Sequence, residues 1–150
     1  MINLELYTPL PELHGATKWV NGKVTKKQLI ANKKLTFIHF WSASSRLSLD
    51  NLPIIDRFHQ SFNELMTVIA VHMPQTEKDL DLKVVCELIK SYQLSYPVYL
   101  DHQHYLTTLF ENQYVPSYYL FNLEGNLSHV QLGSGGMKML QKQVQTLINK

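Results

Sequence analysis

One sulfur nucleophile, Cys86, and a run of serines at Ser42, Ser44, Ser45 and Ser48 are the residues of this 150-residue chain whose types invite covalent chemistry. A single cysteine cannot close an internal disulfide, complete a Cys-rich zinc site or run a dithiol reaction within the chain. Cys86 lies between Val85 and Glu87 on an amphipathic stretch and reads as a partly buried structural thiol. Serine-hydrolase chemistry is excluded: Ser45 has no Gly-x-Ser-x-Gly context, and no acid–histidine pair stands in triad order. Asp101, His102 and His104 form an Asp-His-x-His cluster, but no third ligand has the spacing to join them. Capping of the next helix by Asp101 or His102 is the reading they support, and no metal is expected.

The elements that must position these residues alternate between strand and helix. Leu35–Trp41 (LTFIHFW) is almost uniformly apolar and aromatic, which predicts a central strand buried on both faces. After the serine loop, Leu47, Leu52, Ile55, Phe58 and Phe62 recur near helical spacing, with Pro53 expected to kink that helix. Met66–Met73 predicts a second strand, about Leu80–Tyr92 an amphipathic helix, and Tyr96–Leu100 a third strand. His104–Asn112 reads as a short helix. Ser117–Asn122 and Leu127–Gly133 flank the turn Leu123-Glu124-Gly125-Asn126 as a hairpin, and residues 136–150 close the chain as an amphipathic helix. Upstream, residues 1–24 read as irregular, apart from a short hairpin signal at Asn21-Gly22 between Trp19-Val20 and Lys23-Val24. Thr25-Lys-Lys-Gln28 is a capping box opening a helix to about Ala31. The pattern is α/β, a central mixed sheet with helices on both faces: early strands parallel through right-handed crossovers, the late hairpin antiparallel.

Composition narrows the function classes. Apolar residues are 45%, charged residues 17% and the net charge is +2, an ordinary globular balance without the basic field of a nucleic-acid binder. Length, and the lack of any repeat or linker, point to one domain over residues 1–150. No stretch approaches the roughly 18 apolar residues of a membrane span. The first twenty residues show no secretory pattern, so the cytoplasm is expected. Nothing calls for a second copy, and a monomer is expected.

Two segments carry a resemblance. Phe37-Ile-His-Phe-Trp-Ser-Ala-Ser-Ser45-Arg-Leu-Ser48 with Pro53 five residues on resembles the active-site segment of thioredoxin-like thiol-disulfide oxidoreductases of the TlpA/ResA type. In that family an apolar strand and Phe-Trp lead to Cys-x-x-Cys and a later proline. Ser45 and Ser48 stand at the two cysteine positions. Downstream, Tyr114-Val-Pro116-Ser-Tyr-Tyr-Leu-Phe121 resembles the family's loop and strand, where the proline is cis, and Asn122-Leu-Glu-Gly125 resembles its hairpin turn.

The resemblance implies a thioredoxin-like fold with an N-terminal extension, thiol-disulfide exchange on protein or peptide substrates as the family activity, a bacterial source and no cofactor. It assigns the reacting positions to Ser45 and Ser48, with Pro116 beside them. Trp41, Arg46, Val115 and Pro116 become the substrate-facing set. His39 aligns with the buried proton-shuttling carboxylate of thioredoxins, and is either a general base or a core histidine. The TlpA/ResA-type glutamate after the second strand has Gln75 nearest its place, so no carboxylate base is expected there. Trp41 is either a platform beside the pair or a core aromatic. Arg46 either favours a neighbouring thiolate or is an exposed first-turn residue.

Exchange needs a thiolate to attack and a second to resolve the mixed disulfide. A helix N-terminus stabilises an anion by only about 1–2 kcal/mol, far too little to make serine an alkoxide. The chain is therefore expected to be redox-inactive, whether the serines were introduced by design or arose by natural loss. A non-catalytic protein that binds an extended peptide or partner is the alternative.

Overall fold

Residues 5–133 and 135–149 are described by a computed structural model. Its strands are β1 (Lys18–Val20), β2 (Leu35–Trp41), β3 (Met66–His72), β4 (Val98–Leu100), β5 (Ser117–Phe121) and β6 (Leu127–Leu132). Its helices are α1 (Lys26–Ala31), α2 (Arg46–Phe62), α3 (Leu82–Ser91), α4 (Tyr105–Leu109) and α5 (Met137–Ile148), with a 3-10 turn at Glu77–Leu80. Residues 1–4 and Lys150, the first of the irregular start and the last of the closing helix, lie outside the described residues.

The strands form one sheet in the order β1-β4-β3-β2-β5-β6. All seven residues of β2 are buried, as its unbroken apolar run predicts for a strand covered on both faces. β2 runs parallel to β3, from Leu35 opposite Met66 to Trp41 opposite His72, and β3 runs parallel to β4. β5 is antiparallel to β2 and to β6, completing the mixed sheet.

Alternation along β2 divides the core. Leu35, Phe37 and Trp41 pack with Leu52, Ile55 and Phe58 of α2, Val85 and Ile89 of α3, and Leu140 and Val144 of α5. Ile38 and Phe40 face the other way, toward Leu29 of α1, Leu106 of α4, and Leu10 and Leu13 of the N-terminal extension. Putting α2 and α3 on one face is what two successive right-handed crossovers in the same direction require. The extension is tied down by hydrogen bonds from the Tyr7 N–H to the Leu127 carbonyl at 2.7 Å and from the Leu10 N–H to the Gly125 carbonyl at 2.8 Å.

Two expectations are corrected. The hairpin at Asn21-Gly22 does not form; Trp19 and Val20 pair instead with Tyr99 and Val98 across the outer edge of β4. Asn21 is left-handed (φ 65°) and its amide donates to the Leu94 and Tyr96 carbonyls at 2.6 and 3.1 Å, so the turn is spent docking the strand rather than reversing it. The helix expected from Leu80 begins at Leu82, because Asp81 caps it through the Lys83 amide at 3.0 Å and a 3-10 turn fills the preceding stretch. Pro53 lies inside an unbroken α2.

Candidate functional site

The C-terminal ends of β2, β3 and β4 point to one end of the sheet, where crevices of parallel α/β sheets take ligands. Register sets the neighbours there. Trp41 lies opposite His72, and Phe40 opposite Ser117, so the loop after Trp41 and the loop before Ser117 emerge side by side. The first is Ser42–Ser45; the second holds Val115-Pro116, whose peptide bond is cis.

Ser45 is the N-cap of α2. Its hydroxyl accepts the Ser48 N–H at 3.2 Å, which satisfies a first-turn amide. Ser48 lies one turn in and is 1% exposed. Its Oγ accepts the Ser42 N–H at 3.1 Å and sends its one proton toward the Ser42 and Ser45 carbonyls, each at 3.0 Å. The inner serine is thus a fully used structural hydroxyl, whereas Ser45 is half-buried at the mouth of the loop.

Beneath this loop sits a carboxylate. Asp79, on the 3-10 turn and 1% exposed, accepts four donors on Oδ2: Ser44 Oγ at 2.7 Å, Ser42 Oγ and the Gln75 N–H at 2.8 Å, and the Thr76 N–H at 3.3 Å. Burial pushes its pKa up, but the Gln75 amide, the Ser44 and Ser42 hydroxyls and the nearby His72 outweigh it and hold the carboxyl below its ordinary value. Gln75 supplies a backbone donor there, and the carboxylate that accepts it is Asp79, four residues on. The legible signal was Thr76-x-x-Asp79, a capping box that turns the carboxylate back toward the loop.

His72, fully buried at the end of β3, also supports the loop. Its Nε2 accepts the Ala43 N–H at 3.1 Å, which places the ring proton on Nδ1, an atom with no partner among the described residues. Burial pulls His72 down to about 4, with Asp79 opposing and His102 adding to the fall. Its ring stands edge-on to Trp41 at 4.7 Å.

The remaining site residues fall in two groups. Arg46 is solvent-exposed and pairs with Asp50 at 3.0 Å along the helix surface. Val115 is half-buried, and among the described residues neither its N–H nor its carbonyl makes a hydrogen bond. Pro116 is buried, and its carbonyl accepts the Gly133 N–H at 2.8 Å. Trp41, at 1% exposure, is a core aromatic that presents no surface to a ligand. His39 is buried, pulled down to about 3 by desolvation, and hydrogen-bonded to Tyr96 OH at 3.2 Å rather than to either serine.

Asn112, which no motif in the sequence marks, braces the proline loop. Its Oδ1 accepts from Ser117 Oγ at 2.6 Å and Tyr119 OH at 2.8 Å, while its amide donates to the Tyr114 carbonyl at 2.7 Å. Asp101 caps α4, taking the Tyr105 and Thr107 amides at 2.7 and 2.8 Å.

A parallel three-strand core, a helix starting at the loop after β2 and a cis-proline loop beside it define a thioredoxin-like protein. The chain belongs to the thioredoxin-like thiol-disulfide oxidoreductases, and serine occupies both positions of the family's cysteine pair. It is 43% identical over 145 residues, covering 97% of both chains, to the thiol-disulfide oxidoreductase YkuV of Bacillus subtilis. It is 27% identical to the protein DipZ of Mycobacterium bovis, spanning 21% of that longer chain. Among solved structures, an oxidized thioredoxin-like protein matches at TM-score 0.87 with 42% identity over 99% of this chain and 98% of that one. A thiol:disulfide interchange protein DsbE from Chlorobium tepidum matches at TM-score 0.82 and 14% identity over 97% and 99% of the two chains, a likeness of fold. No family model matches the chain.

Proposed function

We propose that this chain is a non-catalytic member of its family: a single-domain, monomeric protein of the bacterial cytoplasm that holds extended protein segments without forming a covalent bond to them. The observation that carries this reading is that, among the described residues, the Val115 backbone beside the loop of Ser45 makes no hydrogen bond. Open backbone N–H and carbonyl groups are what a peptide needs to add itself as a short strand. Leu47 in the first turn of α2 and Tyr114 on the proline loop, 59% and 56% exposed, supply apolar surface. Ligands would be drawn from the proteins and peptides that the family's active members take as thiol or disulfide substrates, and Arg46 would meet their acidic side chains. With oxygen in place of both sulfurs, release needs no resolving thiol.

Carboxymethylated insulin B chain, an extended polypeptide with its thiols blocked, is a suitable probe. Binding measured by calorimetry, and its loss in Ser45→Trp, is the expected result. Equal binding by Ser45→Trp, or none by the unmodified chain, overturns the reading.

A further inference from the structure

We infer that Asp79 is the positioning residue of the Ser45 loop, so that the geometry of this face depends on one buried carboxylate instead of a cysteine pair. The inference rests on the peptide-binding reading and says what holds that face in shape. The geometry is specific. One oxygen, Asp79 Oδ2, gathers two hydroxyls from the Ser42–Ser45 loop and two amides from the segment after β3. The loops belong to different βα connections, and Asp79 is where they are joined. Ser42 then passes the restraint on. Its N–H is accepted by Ser48 Oγ and its carbonyl accepts the Ser45 N–H at 3.1 Å. Asp79 thereby acts on Ser45 through Ser42, without touching it.

Every donor at Oδ2 is neutral, so the charge is stabilised by oriented dipoles, and hydrogen bonds to an ionised acceptor are about twice as strong as neutral ones. Protonation would remove that advantage and leave the acid's hydrogen among four donors. The ionisable groups facing Asp79 are His72 at the end of β3 and His102 ahead of α4. His72 holds the same loop by a separate bond to the Ala43 N–H. No step of this arrangement involves sulfur, so it is indifferent to the redox poise of its surroundings.

The test uses NMR on the full chain. In Asp79→Asn, the amides of Ser44, Ser45, Gln75 and Thr76 are expected to exchange with solvent at least about tenfold faster, a loss of about one hydrogen bond. The amides of Ile38 and Phe40 in β2 should keep their rates. Ser44→Ala, which deletes an exposed donor, should give a smaller effect of the same pattern and serves if the asparagine variant does not fold. In the unmodified chain, the Gln75 and Thr76 amide shifts should titrate together with the Asp79 carboxyl carbon, below the ordinary carboxylate value of 3.8. That transition should be absent from Asp79→Asn; a merely structural role would not produce it. Unchanged loop exchange in both variants, or amide shifts that ignore the carboxyl, overturns the inference. Binding of carboxymethylated insulin B chain is the second arm. Equal affinity for the unmodified chain and a loosened Asp79→Asn also overturns it. Binding by neither, with the loop loosened as expected, defeats the peptide-binding reading and leaves Asp79's hold on the loop established.

Discussion

Ser48 donates to Ser45 twice: the Ser48 N–H to Ser45 Oγ at 3.2 Å, and Ser48 Oγ to the Ser45 carbonyl at 3.0 Å. Two residues that in active relatives would be joined or parted by electron transfer are here joined by protons alone.

The first prediction concerns what this pairing contributes. Ser48→Ala would leave the buried Ser42 N–H without its acceptor, and unsatisfied buried groups cost about 1–3 kcal/mol. Ser45→Ala removes an N-cap, at a cost of about 1 kcal/mol. Urea denaturation should rank Ser48→Ala as the more damaging change. The reverse order would contradict the hydrogen-bond assignment.

Catalysis provides the second. The unmodified chain should not accelerate insulin reduction by dithiothreitol above the rate in buffer. Ser45→Cys/Ser48→Cys should, because the fold already places residue 45 at the start of a long helix, where a thiolate is stabilised. Ser45→Cys alone should accumulate mixed disulfides, having no second thiol beside it to release them. A folded double-cysteine variant that stays inert would show that more than sulfur has been lost.

Acid sensitivity is the third. His39 and His72 are buried as neutral rings, pulled from 6.5 to about 3 and about 4. A histidine whose folded value is depressed contributes stability that is complete above its unfolded value and declines as pH falls through the window below it. Each should reduce stability by about 1.4 kcal/mol per pH unit between 6.5 and its folded value. Denaturation curves at neutral pH and near about pH 5 should therefore differ by on the order of 3 kcal/mol or more. Coincident curves would mean that the two rings are solvated.

Asn112 yields the fourth. Asn112→Ala would strand the Ser117 and Tyr119 hydroxyls and free the Tyr114 carbonyl, at a cost on the order of 3 kcal/mol. Its effect on probe binding should exceed that of Arg46→Ala, since Arg46 makes a single exposed ion pair worth well under about 1 kcal/mol. Equal losses of binding would mean that the guanidinium's contact with the ligand matters as much as the brace on the proline loop.

Much of the fold was legible because periodicity is local. The apolar run of β2, the helical spacing of α2, α3 and α5 and the turn after β5 all appear within windows of a few residues, and each element formed. Where Trp19 and Val20 would pair was not legible, because the competing edge of β4 lies some eighty residues away in sequence. The site divided in the same way. Ser45, Ser48 and Pro116 lie in recognisable segments. Asp79, His72 and Asn112 act across loops that meet only after folding, and their types alone do not announce which loop they will brace. His39 sits in the right strand, but its ring turns to Tyr96, a partner 57 positions away.

Cys86 is half-buried on α3, an element that contributes no hydrogen bond to the Ser45 loop. With no redox pair competing for reagent, this chain offers one attachment point for a maleimide dye or spin label. An observer can be tethered there without altering a residue of the binding face, a convenience that a dithiol relative cannot provide.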